Sequence, residues 1–287
     1  MNPYFLALEV LIGAFFALCL RHAWRRGAHV AWLLIVGVCF GLLLEWGTIL
    51  QLDAYAYGRF ALMLGPVPVA IGVAWGVIVY SCRLFSDETT LPVWARPVFD
   101  GLLALSIDLA MDAVAIRLGM WDWGLGLETG YFGVPYANFW AWFWVVSSFS
   151  AGSRLLAGGE SQLSRWLGPV GALGVGLATV LATNWLIVAL IPLGLYLPAV
   201  AAVLGGALLL MLGMRPVRRP GEASWLSLAI GLAFHLYFLG AGLLTGAILQ
   251  PPALLLVSLA MLGVTLALHR GELAELRRRR GAPQTSG

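Results

Sequence analysis

An all-α, polytopic integral membrane helical bundle of seven to nine transmembrane helices is the fold class this sequence predicts, from three observations. Of 287 residues, 61% are hydrophobic and only 11% are charged, and the mean hydropathy is +0.89, too little charge for a soluble globular domain. The apolar residues run continuously, without the roughly ten-residue alternation of a membrane barrel strand, so helices are the way to satisfy the backbone in lipid. Basic residues cluster in alternate connections between these runs, as expected of repeated crossings.

The elements follow in order. Residues 4–20 form the first run; it lacks a basic leader and is followed by Arg21, Arg25 and Arg26, so it reads as a retained span rather than a cleaved signal. Residues 30–50 form the second and carry Glu45 toward its end. Residues 67–83 and 98–118 are the third and fourth, flanked by Arg83 and Arg96. The fifth, 138–156, is aromatic-rich, and with Arg154 and Arg165 after it the sixth follows at 168–190. Pro192 interrupts the chain before the seventh, 195–213, so these two could form one broken hairpin. The eighth and ninth, 225–248 and 252–268, lie between Arg215, Arg218 and Arg219 on one side and Arg270 with Arg277 to Arg280 on the other. Most runs reach the crossing length of about 20 residues; the first, third and last are marginal, which leaves eight or seven spans open. Nine spans with the N-terminus outside and the C-terminus in the cytoplasm place every basic cluster on the cytoplasmic side. Residues 1–270 are thus read as a single transmembrane helical domain and 271–287 as a basic, flexible cytoplasmic tail.

Composition also narrows the chemistry. The chain has no lysine, which excludes a retinal-type Schiff base and lysine-based covalent catalysis. Cys19, Cys39 and Cys82 lie in or beside apolar runs without metal spacing and read as small packing residues. The net charge of +3 comes from short connecting clusters, which points to anionic lipid rather than nucleic acid as the partner. No HExxH, histidine-rich or cysteine-pair motif suggests a metal, and no strand-linked GxGxxG supports a dinucleotide, so no cofactor is expected.

Against this background the polar residues inside the spans stand out. Glu45, Asp108 and Asp112, Asn184 and His235 sit on four different runs, in the middle and outer half of the bilayer in the nine-span topology. Ionisable groups at such depth face a protein interior and mark functional sites by default. In "SIDLAMD" the two aspartates are four residues apart, so both carboxyls occupy one helix face. Like charges in a low dielectric do not both ionise readily, so the pair is expected to hold a proton and to serve as a general acid. The structural alternative is pairing with Arg59 or Arg117. Glu45 either completes an acid/base set or pairs with Arg59, and His235 is either a proton relay or a satisfied core histidine. Asn138 and Asn184 fit interhelical hydrogen bonds, with Asn138 also able to orient a water.

The connections on the same side are the polar aromatic ones, "LDAYAYGRF" and "RLGMWDWGLGLETGYFGVPYANF". Thirteen Trp, thirteen Phe and eight Tyr exceed what interface belts require. An apolar, polyene-like ligand would bury well against Tyr55, Tyr57, Trp121, Trp123, Tyr131 and Trp142, and their ring faces would stabilise a developing carbocation. "GYFGVP" predicts a tight turn or partly re-entrant loop at the mouth of the cavity.

Three blocks, "EWGTILQLDAYAYGRFALMLGP", "SIDLAMDAVAIRLGMWDWG" and "YFGVPYANFWAWF", resemble those of the membrane carotenoid biosynthesis family that contains the carotenoid 1,2-hydratases. The resemblance spans the second to fifth runs in clear motifs and the remainder more loosely. It carries Glu45 and the Tyr57, Gly58, Arg59 group onto the first block and Asp108 and Asp112 onto the second. Trp121, Trp123, Tyr131, Gly133, Pro135 and Asn138 fall on the third. Ala113 replaces the family's proline after the second aspartate, and Ala141 replaces a glycine before the tryptophan of the third block. Both departures touch backbone shape and bear on which end group is accepted.

The resemblance implies cofactor-independent addition of water across the terminal 1,2 double bond of a lycopene-like or gamma-carotene-like end group, giving a tertiary 1-hydroxy carotenoid in a bacterial plasma membrane. Carotenoid, water and membrane lipid are then the partners. Such chemistry needs a proton donor, a stabilised tertiary cation and a placed water. Asp108 or Asp112 can supply the first, the aromatic rings the second, and Glu45 or the other aspartate the third. Two other classes remain open: a carotenoid or isoprenoid binding or transport protein, and another isoprenoid enzyme such as a cyclase or prenyl transferase. The transferase is disfavoured because "DLAMD" has no second aspartate-rich copy and basic residues are scarce around it.

Overall fold

The computed structural model describes residues 2–219 and 225–274. Among these, nine named helices form an all-α bundle: α1 Pro3–Arg26, α2 Ala28–Leu52, α3 Val69–Asp87, α4 Arg96–Arg117, α5 Tyr136–Leu156, α6 Gln162–Leu190, α7 Tyr196–Met214, α8 Trp225–Thr245 and α9 Ala253–Leu268. Local chemistry sets their ends. Asn2 caps α1, accepting from the Tyr4 amide at 3.0 Å, and Gly27, at φ 132°, turns the chain directly into α2. Prolines introduce α3, α5 and α9 at Pro68, Pro135 and Pro252, and Ser161 caps α6. The break at Pro192 is real: a short 3₁₀ turn, Leu193–Leu195, separates α6 from α7 as two helices.

Six of the helical segments are long and apolar enough to cross a membrane: α1, α2, α3, α6, α7 with its preceding turn, and α8. The chain is a multi-pass membrane protein. Of the other three, α9 is short at 16 residues, and α4 carries Arg96, Asp100, Asp108, Asp112 and Arg117. Helix α5 opens on Tyr136 and Asn138 and carries a run of serines, which lowers its hydropathy. Helix α4 packs against α3, α5, α8 and α9, so its polar face meets protein instead of lipid. Charge in α4 and serines in α5 lower their hydropathy, although both helices are largely buried.

Loops tie the two ends of the bundle. At one end β1 (Ala56–Tyr57) pairs antiparallel with β4 (Trp121–Asp122), joining the α2–α3 and α4–α5 connections; β2 (Met63–Leu64) and β3 (Val67–Pro68) close a small hairpin. Arg117 reinforces this end by donating to the carbonyls of Ala113 and Phe132, each at 2.8 Å, and to Gln250 O at 3.2 Å. Glu9 of α1, which sequence reasoning passed over, accepts from the amides of Ala61 at 2.9 Å and Leu62 at 3.5 Å and so latches the same loop.

The arginine-rich connections meet at the other end. Arg154 bridges Asp100 and Asp87, each at 2.8 Å, Arg96 reaches Asp87 at 3.2 Å, and Arg218 pairs with Glu88 and Glu272. Arg277 to Arg280 of the basic tail lie outside the described residues.

Glycines set the spacing of the central helices. A Cβ on Gly41 of α2 would stand 2.6 Å from Trp75 Cβ and 2.9 Å from Gly72 O of α3, and one on Gly76 would stand 2.6 Å from Val38 Cγ2. A Cβ on Gly101 of α4 would stand 2.8 Å from Phe143 Cδ2 of α5. Small residues of this kind let helix backbones approach closely. The approach brings Trp75 within reach of Glu45 and Asn138 within reach of the aspartates.

Candidate functional site

Three carboxyl groups anchor the centre of the bundle, Glu45 with one donor set and the Asp108/Asp112 pair with another. Glu45, on α2 and 7% exposed, accepts three hydrogen bonds: Trp75 Nε1 donates to Oε1 at 2.7 Å, Tyr57 Oη donates to Oε2 at 2.7 Å, and Tyr55 Oη donates to Oε2. The two tyrosines reach it because β1 folds back over the end of α2. Burial, and then the Glu45 charge, push both phenols well above the usual tyrosine range, so they remain protonated donors.

Asp108 and Asp112 project from one face of α4 toward α5, as their four-residue spacing predicts. Asn138, at the start of α5, serves both: its Nδ2 donates to Asp112 Oδ2 at 2.7 Å and to Asp108 Oδ2 and Oδ1 at 3.1 and 3.3 Å. Among the described residues neither aspartate has an arginine partner. Arg59 is exposed and Arg117 is committed to backbone carbonyls, so the structural pairing considered from sequence does not form.

These groups border a cavity of about 300 Å³. Glu45, Thr48, Asp112, Asn138 and Asn184 are among its polar lining, and Tyr55, Tyr57, Trp75, Trp121, Trp123 and Trp142 among its aromatic lining. Asp108 does not line it; fully buried, it sits behind Asp112 and meets the cavity through Asp112 itself and through the shared Asn138 amide. The strand register sets Tyr57 opposite Trp121, with ring centroids 6.0 Å apart, while Tyr55 and Trp123 lie 4.6 Å apart. Trp75 and Trp142 meet at 4.3 Å deeper in the bundle. Val188, on the wall, is 48% exposed and belongs to the apolar outer face of α6, so the cavity reaches the surface that a bilayer covers.

Three residues expected at the site lie elsewhere. His235 is buried between α8 and α9, sharing a 2.9 Å hydrogen bond with Thr265 Oγ1; its helix contributes the neighbouring Phe234 to the cavity instead. The Tyr131 hydroxyl donates to Leu109 O at 2.9 Å, and its ring packs on Phe139, which props the loop rather than lining the cavity. Arg59 points to the surface. The turn around "GYFGVP" is tight as expected, with Tyr131 bridging Val134, Phe132 at φ 51° and Gly133 at φ 92°, and Pro135 reaches the cavity wall.

Trp75 is the functional residue that sequence reasoning missed. A tryptophan in the middle of an apolar span, away from the interface where such residues usually sit, was the available signal, because its N–H must find a buried partner.

Among the described residues no three His, Cys, Asp or Glu side chains are grouped to hold a metal ion. The arrangement as a whole offers a carboxyl pair bridged by an amide, a separate carboxyl with three donors, and an aromatic wall between them. Neither the curated proteins nor the solved structures contain a match to the chain. A family model described as carotenoid biosynthesis protein matches residues 1–211, which include every polar residue of the cavity wall. The chain therefore belongs to the carotenoid biosynthesis protein family.

Proposed function

We propose that this protein adds water across the terminal 1,2 double bond of an acyclic carotenoid end group, without a cofactor, giving the tertiary 1-hydroxy product. The observation that carries this reading is Asp112: it stands on the wall of an aromatic cavity, joined through Asn138 to a second, fully buried aspartate. Two carboxyls in one buried site share a proton, and the member facing the cavity is placed to deliver it. Asp112 is thus the acid and Asp108 its supporting partner.

Protonation of C2 leaves a tertiary cation at C1, and the faces of Trp75 and Trp142 offer it cation–π stabilisation. Water attacks C1 and gives one proton to Glu45, whose three donors from Tyr55, Tyr57 and Trp75 suit it to act as a base in the carboxylate form. One C–H and one C–O bond form while the π bond and one water O–H bond break. Return of one proton from Glu45 to Asp112 restores the starting state.

A cavity of about 300 Å³ lies at the small end of ligand sites, suited to an end group whose polyene chain leaves past Val188 into lipid. Lycopene-like or gamma-carotene-like substrates meet this requirement. With the arginine-rich end in the cytoplasm, the protein sits in a bacterial plasma membrane with its C-terminus inside and the cavity toward the outer half.

The test is expression in a cell that makes lycopene or gamma-carotene, with pigment masses read by liquid chromatography. A new pigment heavier by one water is expected, absent with Asp112→Asn despite normal membrane accumulation. Unchanged pigments from properly inserted protein would refute hydration, and carotenoid co-purifying with that protein would move a binding or transport role forward.

A further inference from the structure

The donors of the cavity wall do not all have partners. Asn184, on α6, lines the cavity and is only 3% exposed. Its Nδ2 is a buried donor without a hydrogen-bond partner among the described residues, and none of the side-chain hydrogen bonds there involves Asn184. Its neighbours on the wall, Val180, Ile187 and Val188, are apolar. Trp123 Nε1, also on the wall, is a second buried donor without a partner among the described residues.

The carboxyl and amide groups of Glu45 and Asn138 on the same wall contrast with these two. Glu45 takes three donors, and Asn138 spends its amide on the aspartates. A buried amide left unsatisfied is costly, and such groups in native proteins find an acceptor in protein, water or ligand. A hydrocarbon polyene has no acceptor atom to offer. The occupant of this region therefore carries an oxygen.

We infer that Asn184 is the donor that holds the oxygen atom which is the reacting water before addition and the tertiary hydroxyl afterwards. This rests on the hydration reading for the chemical identity of the oxygen, and on the unpartnered amide for its location. Water accepting from the amide keeps a lone pair for C1 and both hydrogens for acceptors, of which Glu45 takes one. After addition the same amide contacts the new hydroxyl, so product is held more tightly than the parent polyene at this point. The amide's two ends are interchangeable by a flip about its terminal bond, so whichever end faces the ligand, the donor is available to it.

The experiment uses the purified full chain in detergent and follows quenching of its tryptophan fluorescence, since Trp75, Trp121, Trp123 and Trp142 all line the cavity. The probes are gamma-carotene and its 1-hydroxy derivative. Wild type is expected to prefer the hydroxylated ligand by roughly three- to tenfold, the worth of one buried hydrogen bond. Asn184→Leu, close in shape but without the donor, is expected to bring that ratio to about one while the parent polyene binds as before. Asn184→Ser, which keeps a donor, is expected to recover part of the preference, and Asn184→Ala is read like the leucine variant if that one does not accumulate.

In turnover, Asn184→Leu is expected to lower kcat and leave the KM for carotenoid unchanged, since it loses the water and not the polyene. A leucine or alanine variant that keeps the wild-type preference overturns the assignment, and so does a wild type with no preference. If the protein adds no water yet prefers the hydroxylated ligand, and Asn184→Leu abolishes that, hydration fails and the donor site stands. If water is added with unchanged kcat in the variant, the donor site fails and hydration stands.

Discussion

Asn138 is the hinge of the proposed acid, and replacing it tests the mechanism most sharply. Its single Nδ2 group is the donor to Asp112 at 2.7 Å and to Asp108 at 3.1 Å. Asn138→Leu keeps the volume on α5 and removes both bonds. A hydrogen bond to a charged group contributes about 1.5–3 kcal/mol, but the two here share one donor and the direct bond between the aspartates remains. A combined loss of about 2–4 kcal/mol is the expected result. If the bridge acts in the transition state, that is a fall of roughly 30- to 1000-fold in the rate of water addition. The assay is the initial rate of 1-hydroxy carotenoid formation in isolated membranes, normalised to immunoblotted protein, beside thermal denaturation of the purified variant. A rate within threefold of wild type, in a protein where Asp112→Asn is inactive, would refute the idea that Asn138 organises the pair. Combining Asn138→Leu with Asp108→Asn is expected to cost less than the product of the two single falls, because both act on Asp112.

Three further outcomes follow from the same geometry. Trp75→Phe removes one of the three donors to Glu45 and keeps most of the ring against Trp142; water addition should slow by roughly 10- to 100-fold, read by the same pigment assay, with little change in melting temperature. Gly41→Ala places a methyl 2.6 Å from Trp75 Cβ and 2.9 Å from Gly72 O, so α2 and α3 must part. It should lower both melting temperature and activity, whereas Gly13→Ala, with nothing within 4 Å of its Cβ, should change neither. Arg154→Met leaves the fully buried Asp100 without its ion-pair partner, which should cost about 3–5 kcal/mol of stability. The double change Asp100→Asn with Arg154→Met should recover part of the melting temperature, and a double variant no better than the single one would argue against the pair.

The aspartate pair was legible because its evidence is local. A four-residue spacing sets two side chains on one helix face whatever surrounds it, and charge within an apolar run is expensive enough to be informative by itself. Glu45 and Asn184 were legible on the same ground, as polar groups in apolar runs. His235 satisfied that criterion equally well and still faces Thr265 and α9, because depth in the membrane says nothing about the direction a helix turns. Tyr131 and Arg59 sit in a matching motif, yet one props its loop and the other meets the surface. Motif membership records that a residue is near a site, and the loop's own turns decide which side chains enter it.

What the sequence by itself determined was the class of the molecule and the cost structure within it: an all-helical membrane bundle, arginine clusters in alternate connections, and a few carboxyls kept in hydrocarbon at a price. These follow from composition and from periodicities of a few residues, which need no knowledge of neighbours. The tertiary structure alone decided that Asp112 faces the cavity with Asp108 behind it, that one asparagine serves both, and that Trp75 supports Glu45. Each depends on how far one helix is rotated and how closely it approaches another. That is set by contacts between residues distant in the chain, such as Gly41 against Gly72 and Trp75, where the absence of a side chain is the feature that matters.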